Sequence, residues 1–138
     1  MYLLDTNVVS EFRKLGSNQI NPNVSKWAQK IDPELMFLSA ISIFELEIGV
    51  LQVERRDKKQ GLVLRKWLSK HVLPAFSQRI LPVDVMVAQR CASLHVPNPK
   101  SDRDALIAAT AIEHRMTIVT RNIIDFKKSG AKIFDPWS

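Results

Sequence analysis

The sequence predicts an α/β fold in which a central parallel sheet is covered by helices on both faces. Short apolar runs of the buried-strand type alternate with longer segments whose apolar residues recur at helical spacing. Strands separated by helices favour a parallel sheet of this kind. The chain has 138 residues and shows no internal repeat, low-complexity segment or linker, so we expect a single domain, residues 1–138.

Four apolar runs and a short final pair predict the strands. Their aliphatic composition is typical of strands that are buried on both faces. The pair Ile133 and Phe134 predicts an edge strand, which ends before Pro136 because proline cannot donate to a sheet ladder. The four runs are residues 2–4, 35–38, 80–83 and 117–120.

Five segments between these runs predict helices. Val24, Trp27, Ala28 and Ile31 follow the i, i+3, i+4, i+7 spacing of a helix with one apolar face. The other four segments show the same type of spacing. They are residues 44–53, 64–72, 88–95 and 105–112.

Four acidic residues on separate segments lie at the edges of apolar runs: Asp5, Glu45, Asp104 and Asp125. Asp5 follows the first predicted strand and Asp125 lies shortly after the fourth, whereas the other two lie near the starts of helices. In open parallel sheets the ligand site lies beyond the carboxyl ends of the strands, so all four can converge at one edge. Buried carboxylates are costly unless they are paired or bound to metal, and hard cations such as Mg²⁺ prefer oxygen ligands.

Each acid also has a purely structural interpretation. Asp5 could cap the next helix, Asp104 could form a capping box with Ser101, and Asp125 could serve a turn. Glu45 could favour the positive end of its helix. Capping does not explain Glu45, which lies between the apolar residues Phe44 and Leu46 within a helix. The four structural interpretations taken together are therefore less convincing than each one alone.

Other titratable residues are not assigned to the site. Glu47 lies two positions from Glu45 and therefore on another face of the helix. Asp102 is expected to be solvated in the loop before its helix, and Asp84 to cap a helix. The histidines lie outside the acidic segments and are expected at helix surfaces. They are His71, His95 and His114.

Composition indicates a soluble protein of a reducing compartment. Cys91 is the only cysteine, so no intrachain disulfide can form. There is neither a signal-peptide pattern nor an apolar stretch of the roughly 20 residues that a membrane span needs. We therefore expect a cytoplasmic location and no membrane contact.

The net charge of +6, from 20 Lys and Arg against 14 Asp and Glu, is compatible with an anionic substrate. A cluster of basic residues after the second helical segment is a candidate phosphate-binding ridge, and the alternative is a solvated helix face. If the ridge binds RNA, affinity should fall steeply with salt. The cluster comprises Arg55, Arg56, Lys58, Lys59, Arg65 and Lys66.

At the acidic segments the chain resembles the PIN-domain ribonucleases, in particular the VapC and FitB-like toxins of bacterial toxin–antitoxin pairs. The order and spacing of the matching pieces agree with the family along the whole chain, although Asp-Thr-Asn alone would be a weak signal. The pieces are residues 3–11, 38–46 with Gly49, 104–111, 119–122 and 125–126.

The resemblance implies a three-layer α/β/α sandwich with a parallel sheet, an acidic pocket that binds Mg²⁺ or Mn²⁺, and endonucleolytic cleavage of RNA. It also implies a cognate antitoxin that occupies the active-site groove, and a homodimer. The four acids fall on the family's acidic, catalytic and metal-binding positions, of which Asp125 is the most variable. Its polar positions beside the pocket correspond to Thr6, Asn7, Thr120 and Asn122.

The mechanism that the resemblance implies gives each acid a role. Asp5 and Asp104 are expected to bind metal directly. Glu45 is expected to bind metal or orient the attacking water, and Asp125 to bind a second metal or act through water. Hydrogen bonds from the neighbouring polar side chains would hold these carboxylates or the water in place.

Two other classes of protein are alternatives. A haloacid-dehalogenase-type phosphatase also has an aspartate after its first strand, but it needs a second acid where this chain has Asn7. A receiver domain needs paired acids after the first strand and a further aspartate after a middle strand, which the chain lacks. The remaining possibility is a catalytically silent PIN-like module that binds RNA or protein.

Overall fold

A computed structural model describes residues 1–138 and contains a five-stranded sheet in the order β3-β2-β1-β4-β5. Every pair of neighbouring strands is parallel, with Leu3 opposite Phe37 on one side and Ile118 on the other. The predicted fold class is therefore confirmed. The strands are β1 (Tyr2–Leu4), β2 (Met36–Ser39), β3 (Ile80–Leu81), β4 (Thr117–Val119) and β5 (Ile133–Phe134).

Strands β1 and β5 have the predicted bounds, and the bounds of β2, β3 and β4 differ by one or two residues from those predicted. Strand β2 starts at Met36 because the preceding residues, Pro33–Leu35, form a 3₁₀ turn. The side chain of Asp32 caps this turn by accepting a 3.0 Å hydrogen bond from the backbone N–H of Glu34. Strand β3 ends at Leu81, next to Pro82, which has no N–H to donate.

Eight helices connect and cover the strands. The five helices predicted from apolar spacing are all present, and the third of them continues through a π-helical turn, Leu68–Val72, beside Pro74. Proline interrupts regular helical hydrogen bonding, which accounts for the irregular turn. The helices are α1 (Thr6–Phe12), α2 (Pro22–Lys30), α3 (Ala40–Arg56), α4 (Lys58–Trp67), α5 (Leu73–Ala75), α6 (Val85–Leu94), α7 (Asp102–Glu113) and α8 (Ile123–Phe126).

Helix caps test several of the structural interpretations. Asp84 caps α6, as predicted, by accepting a 3.0 Å hydrogen bond from the N–H of Val87. Ser101 precedes α7 but makes no side-chain capping bond, so the capping box with Asp104 is not formed. Helix α7 begins at Asp102, which is therefore helical rather than part of the preceding loop, although its side chain is 91% exposed.

The hydrophobic core lies on both faces of the sheet because successive strand residues point in opposite directions. On one face Leu4, Leu38 and Val119 belong to a buried cluster with residues of α1 and α3. On the other face Leu3 and Ile118 belong to a buried cluster with residues of α7 and α8. No helix of the protein is long and apolar enough to cross a membrane.

The strand order determines where a site can form. The chain adds β2 and β3 on one side of β1 and then places β4 on the other side. The direction of winding changes between β1 and β4, and the crevice beyond the carboxyl ends of such strands is the usual ligand site of open α/β sheets. Asp5 follows β1 and Thr120 follows β4, so both lie at this crevice.

Candidate active site

Asp5 is the most buried acid of the site, with 7% of its surface exposed. Its Oδ2 accepts a 2.8 Å hydrogen bond from the hydroxyl of Thr120, and its Oδ1 accepts one of 2.8 Å from the N–H of Thr6, as an N-cap of α1 does. Burial raises the pKa of Asp5, and repulsion by Glu45 and Asp125 raises it further, while the two hydrogen bonds oppose the rise. Asp5 therefore both caps α1 and belongs to the acidic site.

Glu45 lies in the second turn of α3, which begins directly after β2. Its Oε1 accepts a 2.7 Å hydrogen bond from the hydroxyl of Thr6. Its Oε2 lies 3.8 Å from a guanidinium nitrogen of Arg103. The carboxylate is therefore held from two sides, and its side chain is 23% exposed.

Asp104 lies in the first turn of α7 and has its pKa raised to about 6. Burial is the largest cause, followed by repulsion from Asp125, Asp5 and Glu45. No hydrogen bond offsets these effects. A carboxylate in this condition is stabilised by a nearby cation, because a positive charge favours the ionised form.

Asp125 belongs to α8 and is exposed to solvent. Its charge raises the pKa of both Asp5 and Asp104, so it lies within electrostatic reach of both carboxylates. Asn122 precedes this helix, and its side chain makes no capping hydrogen bond. The structure thus brings all four predicted acids to the crevice between β1 and β4, and their catalytic role stays a prediction.

The donor chemistry of the crevice fits a hard divalent cation. All the acidic ligands offered are carboxylate oxygens, and burial together with repulsion from the other three carboxylates raises the pKa of Asp104. No three acidic, histidine or cysteine side chains lie close enough together to enclose a metal ion by themselves. Mg²⁺ commonly binds through one or two carboxylates and keeps several waters. The carboxylates of the crevice are therefore suitable ligands for it.

Three of the four predicted polar residues contact the acids through their side chains. Besides Thr6 and Thr120, Asn7 donates from Nδ2 to both Asp5 and Thr120 over 3.4 Å. The Asn122 side chain makes no hydrogen bond to a carboxylate, and its positioning role beside the pocket stays a prediction. Instead its backbone N–H donates to the Thr120 hydroxyl over 2.9 Å, which orients that hydroxyl toward Asp5.

The structure does not support a continuous basic ridge. Asp57 ends α3 and caps α4, so Arg55 and Lys59 lie on different helices. Arg65 donates to both oxygens of Glu47, at 2.7 and 2.6 Å, and also to Glu54 at 3.2 and 3.0 Å. Two carboxylates therefore already bind the Arg65 guanidinium, and its contact with RNA stays a prediction.

Sequence reasoning missed Arg103, which pairs with Glu45 and stacks 5.0 Å from the centre of the Phe44 ring. Its position next to Asp104 in the sequence was the only available signal. It also missed Arg121, whose backbone N–H donates to Asn7 over 3.3 Å. Both arginines are directly adjacent to residues of the acidic site, where a basic side chain can meet an anionic substrate.

The α/β/α fold and its acidic crevice define the class of protein. A family model described as the PIN domain matches residues 2–131, and the chain belongs to the PIN-domain family. Toxin FitB from Neisseria gonorrhoeae is 37% identical over 142 residues, covering 99% of both chains. The VapC ribonuclease Y4jK from Sinorhizobium fredii is 32% identical and covers 99% of this chain and 98% of its own. The resemblance to VapC and FitB-like toxins is thereby confirmed.

Solved structures agree with this assignment. The crystal structure of FitAcB from Neisseria gonorrhoeae superposes with a TM-score of 0.86 at 35% identity, covering 99% of both chains. The structure of FitAB bound to the IR36 DNA fragment has a TM-score of 0.88 at 35% identity and covers 100% of this chain and 96% of that one. DNA-bound VapBC from Salmonella typhimurium, at 22% identity and a TM-score of 0.69, has the same fold.

Proposed function

We propose that the protein is a metal-dependent endoribonuclease that hydrolyses RNA phosphodiester bonds, and that it acts as the toxin of a toxin–antitoxin pair. The observation that carries the proposal is the convergence of Asp5, Glu45, Asp104 and Asp125 on one crevice, with the pKa of Asp104 raised to about 6. Membership of the PIN-domain family and the ribonuclease name of a relative at 32% identity support the same reaction.

Asp5 and Asp104 are the residues that would hold Mg²⁺ or Mn²⁺, with Glu45 and Asp125 completing the site directly or through water. Bound there, the cation would screen the charge of the phosphodiester and favour ionisation of the attacking water. Four carboxylates without a cation would repel the substrate.

The protein's own residues position these groups. The Thr120 hydroxyl holds Asp5 in one orientation from across the sheet, and Asn7 contacts both side chains. The Thr6 hydroxyl holds one oxygen of Glu45, which leaves the other to accept a hydrogen bond from a water or from Arg103. Arg103 is half-exposed at the rim, where its guanidinium can contact a phosphate oxygen.

The proposal includes a cognate antitoxin as partner, together with homodimerisation and a cytoplasmic setting in which RNA is available. The relative at 37% identity is a toxin, and one structural match is described as a toxin-antitoxin complex from Klebsiella pneumoniae. The unpaired Cys91 is compatible with a reducing compartment.

The phosphatase alternative has lost its support. That class needs an acid at the position of Asn7, which instead donates to Asp5 and Thr120. The catalytically silent module remains the competing function, because it would retain the fold and bind RNA without cleaving it.

The test is cleavage of a panel of RNAs, including tRNAs, by purified protein with Mg²⁺, with Mn²⁺ or with EDTA. Asp5→Asn, purified identically and checked for folding by circular dichroism, controls for contaminating nuclease. We expect metal-dependent cleavage that the variant lacks. Equal cleavage by both proteins, or RNA binding without cleavage by folded wild-type protein, would overturn the proposal.

A further inference from the structure

A short turn directly after β4, residues 120–122, is built around the hydroxyl of Thr120, and we call it the β4 turn. The backbone N–H of Asn122 donates to this hydroxyl over 2.9 Å, as in other turns that a serine or threonine side chain stabilises. The same hydroxyl donates to Asp5 over 2.8 Å. The conformation of the β4 turn therefore decides how the Thr120 hydroxyl is directed at Asp5.

The middle residue of the β4 turn orients a second donor to the same carboxylate. The backbone N–H of Arg121 donates over 3.3 Å to Oδ1 of Asn7. The Nδ2 of this asparagine donates over 3.4 Å to Asp5 and, over an equal distance, to Thr120. Both side chains that donate to Asp5 are therefore held by N–H groups of one turn.

The side chain of Arg121 connects this turn to Trp137, which follows β5. Arg121 is exposed, and its guanidinium lies 5.4 Å from the centre of the Trp137 ring, within the range of cation–π attraction. Arg121 forms no ion pair with an acid, and Glu11 attracts it only at longer range. The stack on Trp137 is therefore the main restraint on the Arg121 side chain.

Trp137 is itself fixed by several contacts. Its ring is half-buried and packs against the core cluster that includes residues of α1 and α3. Its carbonyl oxygen accepts a 2.8 Å hydrogen bond from Nδ2 of Asn23, in the first turn of α2. Its N–H donates over 2.9 Å to Oδ1 of Asp135, and the neighbouring Pro136 is buried. The ring is therefore a fixed point against which an exposed side chain can be held.

The contacts of the Trp137 ring are internal to the protein, since the core and a guanidinium both pack on it. We propose that Trp137 is a positioning residue of the proposed nuclease, because its ring restrains Arg121 and so keeps the β4 turn in the conformation that orients Asp5. The proposal rests on the proposed function, in which Asp5 helps to hold the metal ion. It makes the geometry of the acidic crevice depend on a residue of the segment after β5.

Nuclear magnetic resonance of the full-length, metal-free protein tests this restraint directly. We expect Trp137→Leu and Arg121→Ala each to lower the protection of the Asn122 N–H against exchange with water by about two- to fivefold, the equivalent of one exposed cation–π pair. Both variants should also shift the side-chain amide signal of Asn7. Trp137→Phe and Arg121→Lys should stay within about twofold of wild type, because they keep a ring and a cation.

Cleavage kinetics, measured well below the unfolding temperature of each variant, test the consequence for the reaction. Trp137→Leu should lower kcat about two- to fivefold and change KM by less than about twofold, because a loosened Asp5 impairs the reaction more than substrate binding. The double variant Arg121→Ala, Trp137→Leu should lose no more kcat than the more severe single variant, since the ring acts through the guanidinium. A purely structural role of Trp137 would lower thermal stability and leave the kcat of the folded protein unchanged.

Trp67→Leu is the matched control. Trp67 is also half-buried against the same core cluster, and the guanidinium of Arg13 lies 6.0 Å from the centre of its ring. It belongs to α4 rather than to the segment that supports the β4 turn. The control therefore removes a ring and a stack of the same kind, and it should leave the Asn122 protection and the Asn7 signal unchanged.

Unchanged protection of the Asn122 N–H in Trp137→Leu, an equal loss in Trp67→Leu, or additive losses of kcat in the double variant would overturn the proposal. If Trp137→Leu does not fold, Arg121→Ala decides, and unchanged protection in that variant would also overturn it. The exchange measurement needs no cleavage, so a loss of protection confined to the β4 turn supports the restraint even if wild-type protein cleaves no RNA. Cleavage by wild-type protein together with unchanged protection would remove the positioning role alone.

Discussion

The hydroxyl of Thr120 donates a 2.8 Å hydrogen bond to Oδ2 of Asp5, joining two residues 115 positions apart in the sequence. Thr120 is fully buried, so this bond forms away from competing water. It favours the ionised form of Asp5 and partly offsets the effect of burial on the Asp5 pKa. The ladder between β1 and β4 aligns the two residues, because Asp5 N–H also donates to the carbonyl of Val119 over 2.9 Å.

Thr120→Val should raise the pKa of Asp5 further, because it removes a hydrogen bond that stabilises the carboxylate. If Asp5 must be ionised for cleavage, the acid side of the profile of kcat/KM against pH should move to higher pH. Thr120→Ser, which keeps the hydroxyl, should leave the profile in place. Superimposable profiles for the valine and serine variants would contradict this role of the hydroxyl.

Asp104→Asn should stabilise the metal-free protein at pH 7. The folded-state pKa of Asp104 is raised from 3.8 to about 6, so ionisation disfavours folding at higher pH and the penalty disappears as pH falls through about 6 toward 4. Because the side chain is partly solvated, we expect a gain of only about 1 kcal/mol.

Thermal unfolding in EDTA between pH 4 and pH 8 measures this gain. Asp102→Asn, at a side chain that is 91% exposed, is the matched control and should change little. If Asp104→Asn unfolds at a lower temperature than wild type at pH 7, the ionised Asp104 carboxylate stabilises the folded protein and the prediction is wrong.

Glu47→Gln should destabilise the protein near neutral pH, and the effect should shrink as pH falls below about 4.5. The hydrogen bonds from Arg65 lower the pKa of Glu47, so its contribution is present above about 4.5 and is lost as pH falls through the lower folded-state value. The pair is partly exposed, so we expect less than about 1 kcal/mol, and less still at high salt.

Urea unfolding at pH 7 and pH 3 tests this pair. Glu34→Gln is the control, because Glu34 is 78% exposed and lies 3.7 Å from Arg79. A difference in the free energy of unfolding between Glu47→Gln and wild type that is as large at pH 3 as at pH 7 would indicate that packing rather than charge is responsible.

Gly61→Ala should destabilise the packing of α4 on α3. A Cβ at Gly61 would lie 2.5 Å from the Cα of Glu54, a backbone atom, so the two helices would have to move apart. Such overpacking costs about 1–3 kcal/mol. At Gly49 a Cβ meets no atom within 4 Å, so Gly49→Ala should instead stabilise α3 by up to about 1 kcal/mol. Chemical unfolding of both variants gives the comparison, and equal stabilities would rule out the steric explanation.

Local signals predicted much of this fold. The strands and the helical periodicities were visible because burial on a sheet or along one helix face imposes a repeat on neighbouring residues. Boundaries were less accurate where a turn competed with the strand, as at Pro33–Leu35 before β2. The resemblance placed Asp5, Glu45, Asp104 and Asp125 at one site, and the structure brings them to one crevice.

Side-chain partners were predicted less well. Ser101 precedes α7 in a capping-box pattern that the structure does not form. Asn122 contributes its backbone N–H rather than its amide group. Arg65 was interpreted as free charge, although Glu47 lies 18 residues away in the sequence and binds it directly. Each of these features depends on an orientation or a contact that spacing alone does not specify.

By itself the sequence determined the alternation of strands and helices and the chemical types of the site residues, because apolar repeats and residue identities are properties of short segments. The strand order, the raised pKa of Asp104 and the pairing of Arg121 with Trp137 and of Arg13 with Trp67 were decided only by the tertiary structure. These properties depend on burial and on the spatial distance between segments that are far apart in the sequence. They exist only once the chain has packed.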